Sequence, residues 1–145
     1  MLSKVAASRL ETVERYLREV VVEAETIIPL TVLEGHRGQT DQEAAFARGA
    51  TKLHWPHGKH NAYPSLAVDL APLYYQEGTK IDWDDLIAFG RIMGVVQAVA
   101  YRHGVKLRFG LDWDGDFHSV GRDADESFLD APHVEVVNSI QGVTV

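Results

Sequence analysis

The chain of 145 residues contains no cysteine, which excludes disulfides, thiolate metal sites and a thiol nucleophile together. Any metal it holds must therefore sit on His, Asp or Glu. It also lacks an apolar stretch long enough for a membrane span or the core of a secretion signal. The opening Met1-Leu2-Ser3-Lys4-Val5-Ala6-Ala7-Ser8-Arg9 runs straight into Glu11, Glu14 and Arg15. Positive charge is scarce: 14 Lys and Arg stand against 21 Asp and Glu, a formal net charge of −7. That balance opposes attraction to phosphate backbones and anionic lipid, so neither nucleic acid nor a membrane is an expected partner. Repeats, low-complexity tracts and Ser/Pro-rich linkers are missing too. With 46% of residues hydrophobic, the chain suits a single domain over 1–145 with a real core and no separate binding module.

What is present reads as alternating helices and strands. Val13, Tyr16, Leu17, Val20, Val21, Ala24 and Ile28 recur at helical spacing, with Ser8 and Glu11 as a capping box and Pro29 as the stop. Leu30 to Glu34 is a short strand ending at Gly35. Thr40 and Glu43 form a second capping signal for a short helix through Phe46, closed by Gly49. Residues 50–64 have no period and read as a long loop, a placement that favours function. Ser65 to Leu70 is a strand, and Asp82 caps a long helix with Leu86, Phe89, Met93, Val96 and Ala100 on one face. That helix carries His103 in its last turn and Gly104 after it. Val105 to Phe109 is a strand, Asp112 to Asp125 an acidic loop, and Val134 to Val137 a closing strand. The order predicts an α+β fold, with helices packed on one side of a small, mostly antiparallel sheet.

The residues that suggest chemistry begin with His60 and Asp69, a neutral imidazole and a carboxylate of the kind zinc accepts. Nine positions apart, they meet neither along one helix nor along one strand face. A reversal at Pro64-Ser65 would bring a loop carrying His60 back beside a strand carrying Asp69; otherwise they are an exposed loop histidine and a strand-end aspartate. A second cluster is Asp130-Ala131-Pro132-His133-Val134-Glu135. Pro132 bars a regular helix, and a strand entered at His133 sets His133 and Glu135 on one face, with Val134 and Val136 on the other. Two histidines and an aspartate make a three-ligand set that leaves a fourth position open on catalytic zinc, with Asp130 or Glu135 as general base. The plain alternative for His133 is an edge-strand histidine bonded to a neighbouring carbonyl.

Four ordered segments carry a resemblance: Glu34-Gly35-His36-Arg37 with Gln42; Lys59-His60-Asn61 through Pro64-Ser65-Leu66-Ala67-Val68-Asp69-Leu70-Ala71-Pro72; Asp112-Trp113-Asp114; and Asp130-Ala131-Pro132-His133-Val134-Glu135. Together they resemble bacteriophage endolysins of the VanY-like zinc peptidase family. The likeness is to its L-alanyl-D-glutamate endopeptidases, relatives of the D-alanyl-D-alanine carboxypeptidases and of the Hedgehog signalling-domain fold. It covers roughly residues 30–137. It implies that His60, Asp69 and His133 hold Zn²⁺ and that Asp130 is the catalytic acid/base. It also implies that Arg37 meets a substrate carboxylate or developing oxyanion, with Gln42 beside it or only pinning its loop. The chain departs from the short Ser-x-His-x-x-Gly-x-Ala-x-Asp form, having eight residues rather than six between the first two ligands.

The resemblance further implies the stem peptide of bacterial peptidoglycan as partner, cut between L-Ala and D-Glu by a monomer. The enzyme would be made in the host cytoplasm without a signal peptide and reach the wall after release by another protein. The rival expectations are a D-Ala-D-Ala carboxypeptidase using the same site, and a noncatalytic zinc-bearing module. His54 and His57 read as loop residues facing substrate, because Trp55-Pro56 and Gly58 break any helix that would align them with His60. Asp112, Asp114 and Asp116 begin like a calcium loop, but Phe117 stands where the turn needs Gly and Asp123 where it needs Glu. A solvated loop is the reading, with weak Ca²⁺ binding the alternative. Trp55, Tyr63 and Trp113 either flank a groove or pack.

Overall fold

A computed structural model of the chain describes residues 1–74, 80–117 and 129–137. Its helices are α1 (Lys4–Leu10), α2 (Arg15–Ile27), α3 (Gln39–Ala47) and α4 (Leu86–His103). Its strands are β1 (Leu30–Glu34), β2 (Ala67–Pro72), β3 (Leu107–Phe109) and β4 (His133–Val136), with a 3₁₀ turn at Lys59–Asn61. The strands form one sheet in the order β1-β2-β4-β3, antiparallel at every pairing. The expected α+β architecture holds.

Strand alternation divides the sheet into two unlike faces. Leu30 and Val32 of β1, Val68 and Leu70 of β2, and Val134 and Val136 of β4 join one buried cluster. Leu17, Val20, Val21 and Ala24 of α2 and Ile92, Met93, Val96, Val99 and Ala100 of α4 pack against them, and the cluster also takes in Ala6, Leu10, Val13, Val105 and Phe109. No α3 residue belongs to this cluster; that helix serves the other face through Gln42. Each fully buried Leu or Val contributes about 1.5–3 kcal/mol over an exposed one, so this face carries the stability.

Several local expectations are corrected by tertiary contacts. The Ser8–Glu11 capping box does not form. Ser3 caps α1, accepting from Ala6 N at 3.1 Å, while Glu11 is that helix's C-cap. The chain then leaves the helix because residues 12–14 pair with a distant loop: Ser65 N donates to Thr12 O at 2.8 Å and Glu14 N to Ser65 O at 2.9 Å. A second helix starts after Glu14, whose carboxylate accepts from Tyr16 N and Leu17 N at 3.0–3.1 Å.

The Thr40–Glu43 box is also absent. α3 begins at Gln39 after Gly38 without a side-chain cap, and Glu43 bonds Trp55 N and His54 instead. The cap of α4 is Asp85, not Asp82, and Leu86 at its start is exposed rather than part of the buried stripe. Its other end follows the sequence: Gly104 takes φ 71°, the left-handed cap that glycine adopts without strain. Ser65 and Val105 lie outside strands, and β4 starts at His133 and ends at Val136.

Candidate metal centre

The eight residues between His60 and Asp69 do fold back. The Lys59–Asn61 turn is closed by Asn61 N donating to Gly58 O at 3.0 Å, and Leu66 N donates to Lys59 O at 3.0 Å, so the loop returns before β2 begins. A second zipper ties it to the segment after β1. Arg37 N donates to His60 O at 2.8 Å, Asn61 Nδ2 to Arg37 O at 3.1 Å, and Ser65 Oγ to Gly35 O at 3.3 Å. The His60 ring is locked in the same way: a carbonyl only accepts, so Nδ1 carries the proton it donates to Gly35 O at 2.7 Å. Nε2 is left with a free lone pair. Gly35 is required here, because a Cβ would collide with Thr12 Oγ1 and the Arg9 carbonyl.

Asp69 and His133 are directly opposed partners in the β2–β4 ladder and point to the face away from the apolar core. Asp130 reaches the same place through Gly110, at the end of β3. Asp130 N donates to Gly110 O and Gly110 N to His133 O, both at 2.9 Å. A Cβ on Gly110 would overlap the Asp130 carbonyl, so a side chain there displaces Asp130.

Three donor atoms converge. His60 Nε2 lies 3.1 Å from Asp69 Oδ1 and 3.3 Å from His133 Nδ1, and His133 Nδ1 lies 3.4 Å from Asp69 Oδ1. Ligands about 2.0–2.1 Å from a tetrahedral ion stand about 3.3–3.4 Å apart, so this triangle fits one face of a zinc site. The three residues are a group able to hold a metal; Asp130 Oδ2 stands further off, 3.9 Å from His133 Nδ1. The fourth position faces a cavity of about 280 Å³ lined by Arg37, Lys59, Arg108, Trp113 and Asp130 among others.

Charge is arranged around the triangle. Burial by itself pushes the Asp69 carboxyl up, but the adjacent His60 and His133 rings outweigh it and hold Asp69 well below the usual carboxylate range. Burial and the nearby Asp69 charge push Asp130 up to about 6. His133 is raised to about 9, since hydrogen bonds to Asp69 and Glu135 overcome the burial that disfavours its charge. His133 would have to give up its Nδ1 proton to bind a cation here, and the added positive charge would lower the Asp130 value.

Arg37 lies in the cavity wall with its charge already engaged. It is bonded to Glu34, donates from Nη1 to Gln42 Oε1 at 3.1 Å, and brings Nη2 to 3.8 Å from Asp69 Oδ2. Gln42 is 1% exposed and braces the site. Its oxygen also accepts from Asn61 Nδ2 at 3.0 Å and its amide donates to Leu53 O at 2.6 Å. His54 donates to Glu43 at 2.8 Å and stacks on Phe46, and neither His54 nor His57 joins the ligand triangle.

Trp113 lines the cavity, with its ring 5.3 Å from that of His133, whereas Tyr63 is exposed and meets His36 edge-on. Trp55 is held through its backbone by Glu43. The carboxylates of Asp112, Asp114 and Asp116 cluster within 4.8 Å in a partly to fully exposed turn, and Asp123 lies outside the described residues.

Sequence reasoning missed Glu34, Asn61 and Gly110. Glu34 reaches the site face because a bulge between Val32 and Glu34 sets it opposite Asp69, against the strict alternation that would turn it to the core. Only the Glu-Gly-His-Arg adjacency could have hinted at it. Glu135 is engaged elsewhere than at the triangle: its Oε1 accepts from His133 Nε2 at 2.8 Å, on the side of the ring away from the three converging donor atoms.

Comparison with known proteins places nearly the whole chain in a family. The chain matches the family model described as phage L-alanyl-D-glutamate peptidase over residues 1–137. It is 33% identical over 138 residues to the L-alanyl-D-glutamate peptidase of Escherichia phage T5, spanning 92% of this chain and 96% of that protein. The fold is also that of the crystal structure of the L-Ala D-Glu endopeptidase ChiX of Serratia marcescens. The TM-score is 0.69 at 19% identity, covering 94% of this chain and 90% of that one. A match running from α1 to the strand that bears His133 establishes that the chain belongs to the phage L-alanyl-D-glutamate peptidase family.

Proposed function

We propose that the chain is a zinc-dependent peptidoglycan hydrolase that cuts the stem peptide between L-Ala and D-Glu, acting as a monomeric endolysin once another protein opens the way to the wall. The observation that carries the reading is the donor triangle of His60, Asp69 and His133, open on one side toward Asp130 and the cavity. A structural zinc is closed by a fourth protein ligand; among the described residues, the fourth position here opens to the cavity instead.

Zinc held by these ligands supplies Lewis acidity, lowering the pKa of water from ~15.7 toward ~7 and polarising the scissile carbonyl. The remaining work falls to side chains. Asp130, with its carboxyl pushed up to about 6, is ionised at neutral pH yet basic enough to take a proton from water and return it to the leaving amine. Arg37, braced by Glu34 and Gln42, holds a fixed guanidinium beside the site for charge developing on the carbonyl oxygen. Trp113 walls the cavity next to His133.

The test is mass spectrometry of muropeptides after digestion of purified peptidoglycan, with and without a chelator. Fragments with a new N-terminal D-Glu, lost on chelation and restored by zinc, are expected. Release of free D-Ala would assign the site to a carboxypeptidase, and no cleavage at all would make it a binding module.

A further inference from the structure

His133 has a second neighbourhood, on the side of its ring facing away from the triangle. Its Nε2 lies 2.8 Å from Glu135 Oε1, and the other oxygen, Oε2, accepts from Arg108 Nη2 at 3.0 Å. Glu135 is 4% exposed. Arg108 is its directly opposed partner in the β3–β4 ladder, and its guanidinium carbon stands 5.5 Å from the centre of the Trp113 ring. The Trp113 ring in turn lies 5.3 Å from His133. His133, Glu135, Arg108 and Trp113 thus close on one another beside the ligand triangle, along the wall of the same cavity.

A cross-strand Arg–Glu pair ordinarily belongs on a solvated face, where it contributes little. Burying the carboxylate is costly unless both oxygens are engaged. Here both are, and one is spent on the imidazole of a candidate ligand. A carboxylate only accepts, so Nε2 must carry the hydrogen, and the lone pair of the metal-binding form then falls on Nδ1. That is the atom 3.3 Å from His60 Nε2 and 3.4 Å from Asp69 Oδ1.

We propose that Glu135, clamped by Arg108, is a positioning residue that acts through His133, fixing the ring orientation and tautomer in which Nδ1 is presented to the metal. The inference rests on the zinc reading of the site. It differs from that reading in what it asks of the chain: the carboxylate at 135 governs metal retention through the His133 imidazole without being a ligand itself. Outer carboxylates of this kind are worth about 10–100-fold in metal affinity or activity where they are removed.

The experiment follows zinc transfer from the loaded protein to a chromophoric chelator. Wild type is compared with Glu135→Ala, Glu135→Gln, Arg108→Met and a strand control, Val136→Ala, which removes core volume from the opposite face of β4. Circular dichroism checks folding. Zinc release is expected to speed up about 10–100-fold for Glu135→Ala. The increase should be smaller for Glu135→Gln, which keeps an accepting oxygen, and for Arg108→Met, which leaves the carboxylate unclamped; Val136→Ala should release zinc as wild type does. If Glu135→Ala does not fold, Glu135→Gln carries the test. Release at the wild-type rate from both Glu135 variants overturns the proposal alone. Equally fast release from Val136→Ala also overturns it, by making the effect one of strand stability. A wild-type protein that takes up no zinc overturns the metal reading and this inference with it.

Discussion

The two faces of the sheet are built from the same strands and do opposite work. Facing α2 and α4 are Leu30, Val32, Val68, Leu70, Val134 and Val136, closely packed and apolar. One residue along on the same strands come Asp69, His133 and Glu135, joined by Glu34 through a bulge. The apolar face gains from burial without further conditions. Burial of the polar face opposes the ionised form of Asp69, Asp130 and Glu135 alike, and is tolerated because each lies beside a partner of opposite charge or a hydrogen-bond donor. The comparison teaches that pleat alternation lets one short strand supply stability on one side and a charged site on the other, so the two are separable by mutation.

Asp130→Ala should break the polar face hardest without touching the fold. Cleavage of purified peptidoglycan should fall on the order of 10²–10⁴-fold while bound zinc is retained. The wild-type enzyme should lose activity as pH drops, since Asp130 must be ionised to act as base. Its carboxyl is raised to about 6 before a cation lowers it, so the acid limb should lie at or below pH 6 and be missing from the residual activity of the variant. A change of comparable size on the other face should do the reverse. Leu17 is fully buried in the helix–sheet core, and Leu17→Ala should cost about 2–5 kcal/mol in urea unfolding while zinc bound per folded chain stays at the wild-type value. If Leu17→Ala empties the metal centre of folded protein, or Asp130→Ala abolishes the cooperative unfolding transition, the division between the faces fails.

Much of this division was legible in the sequence. The 3.6-residue stripes of α2 and α4, the Gly104 cap and the alternation of His133, Val134, Glu135 and Val136 gave the core face and the direction of the ligand strand. The spacing of His60 and Asp69 demanded a reversal, and the loop supplies one. What could not be read was the tertiary bookkeeping of polar groups. The first helix breaks at residues 11–14 because Ser65 takes the backbone of Thr12 and Glu14 as partners, a contact between segments about fifty residues apart. Glu43 abandons its helix cap for Trp55 and His54 for the same reason, and Glu34 faces the site only because a bulge shifts the register of β1. Glu135 was visible as a possible base; only the position of its oxygens reveals that it addresses the far nitrogen of His133.

The central claim is that three side chains hold the metal and a fourth, beside them, does not. Elemental analysis of dialysed protein tests it most directly, applied to wild type and to His60→Ala, Asp69→Ala, His133→Ala and Asp130→Ala. The account predicts one zinc per chain for wild type and Asp130→Ala, and essentially none for the other three. Stoichiometric zinc in any of those three, or its loss from folded Asp130→Ala, would contradict it.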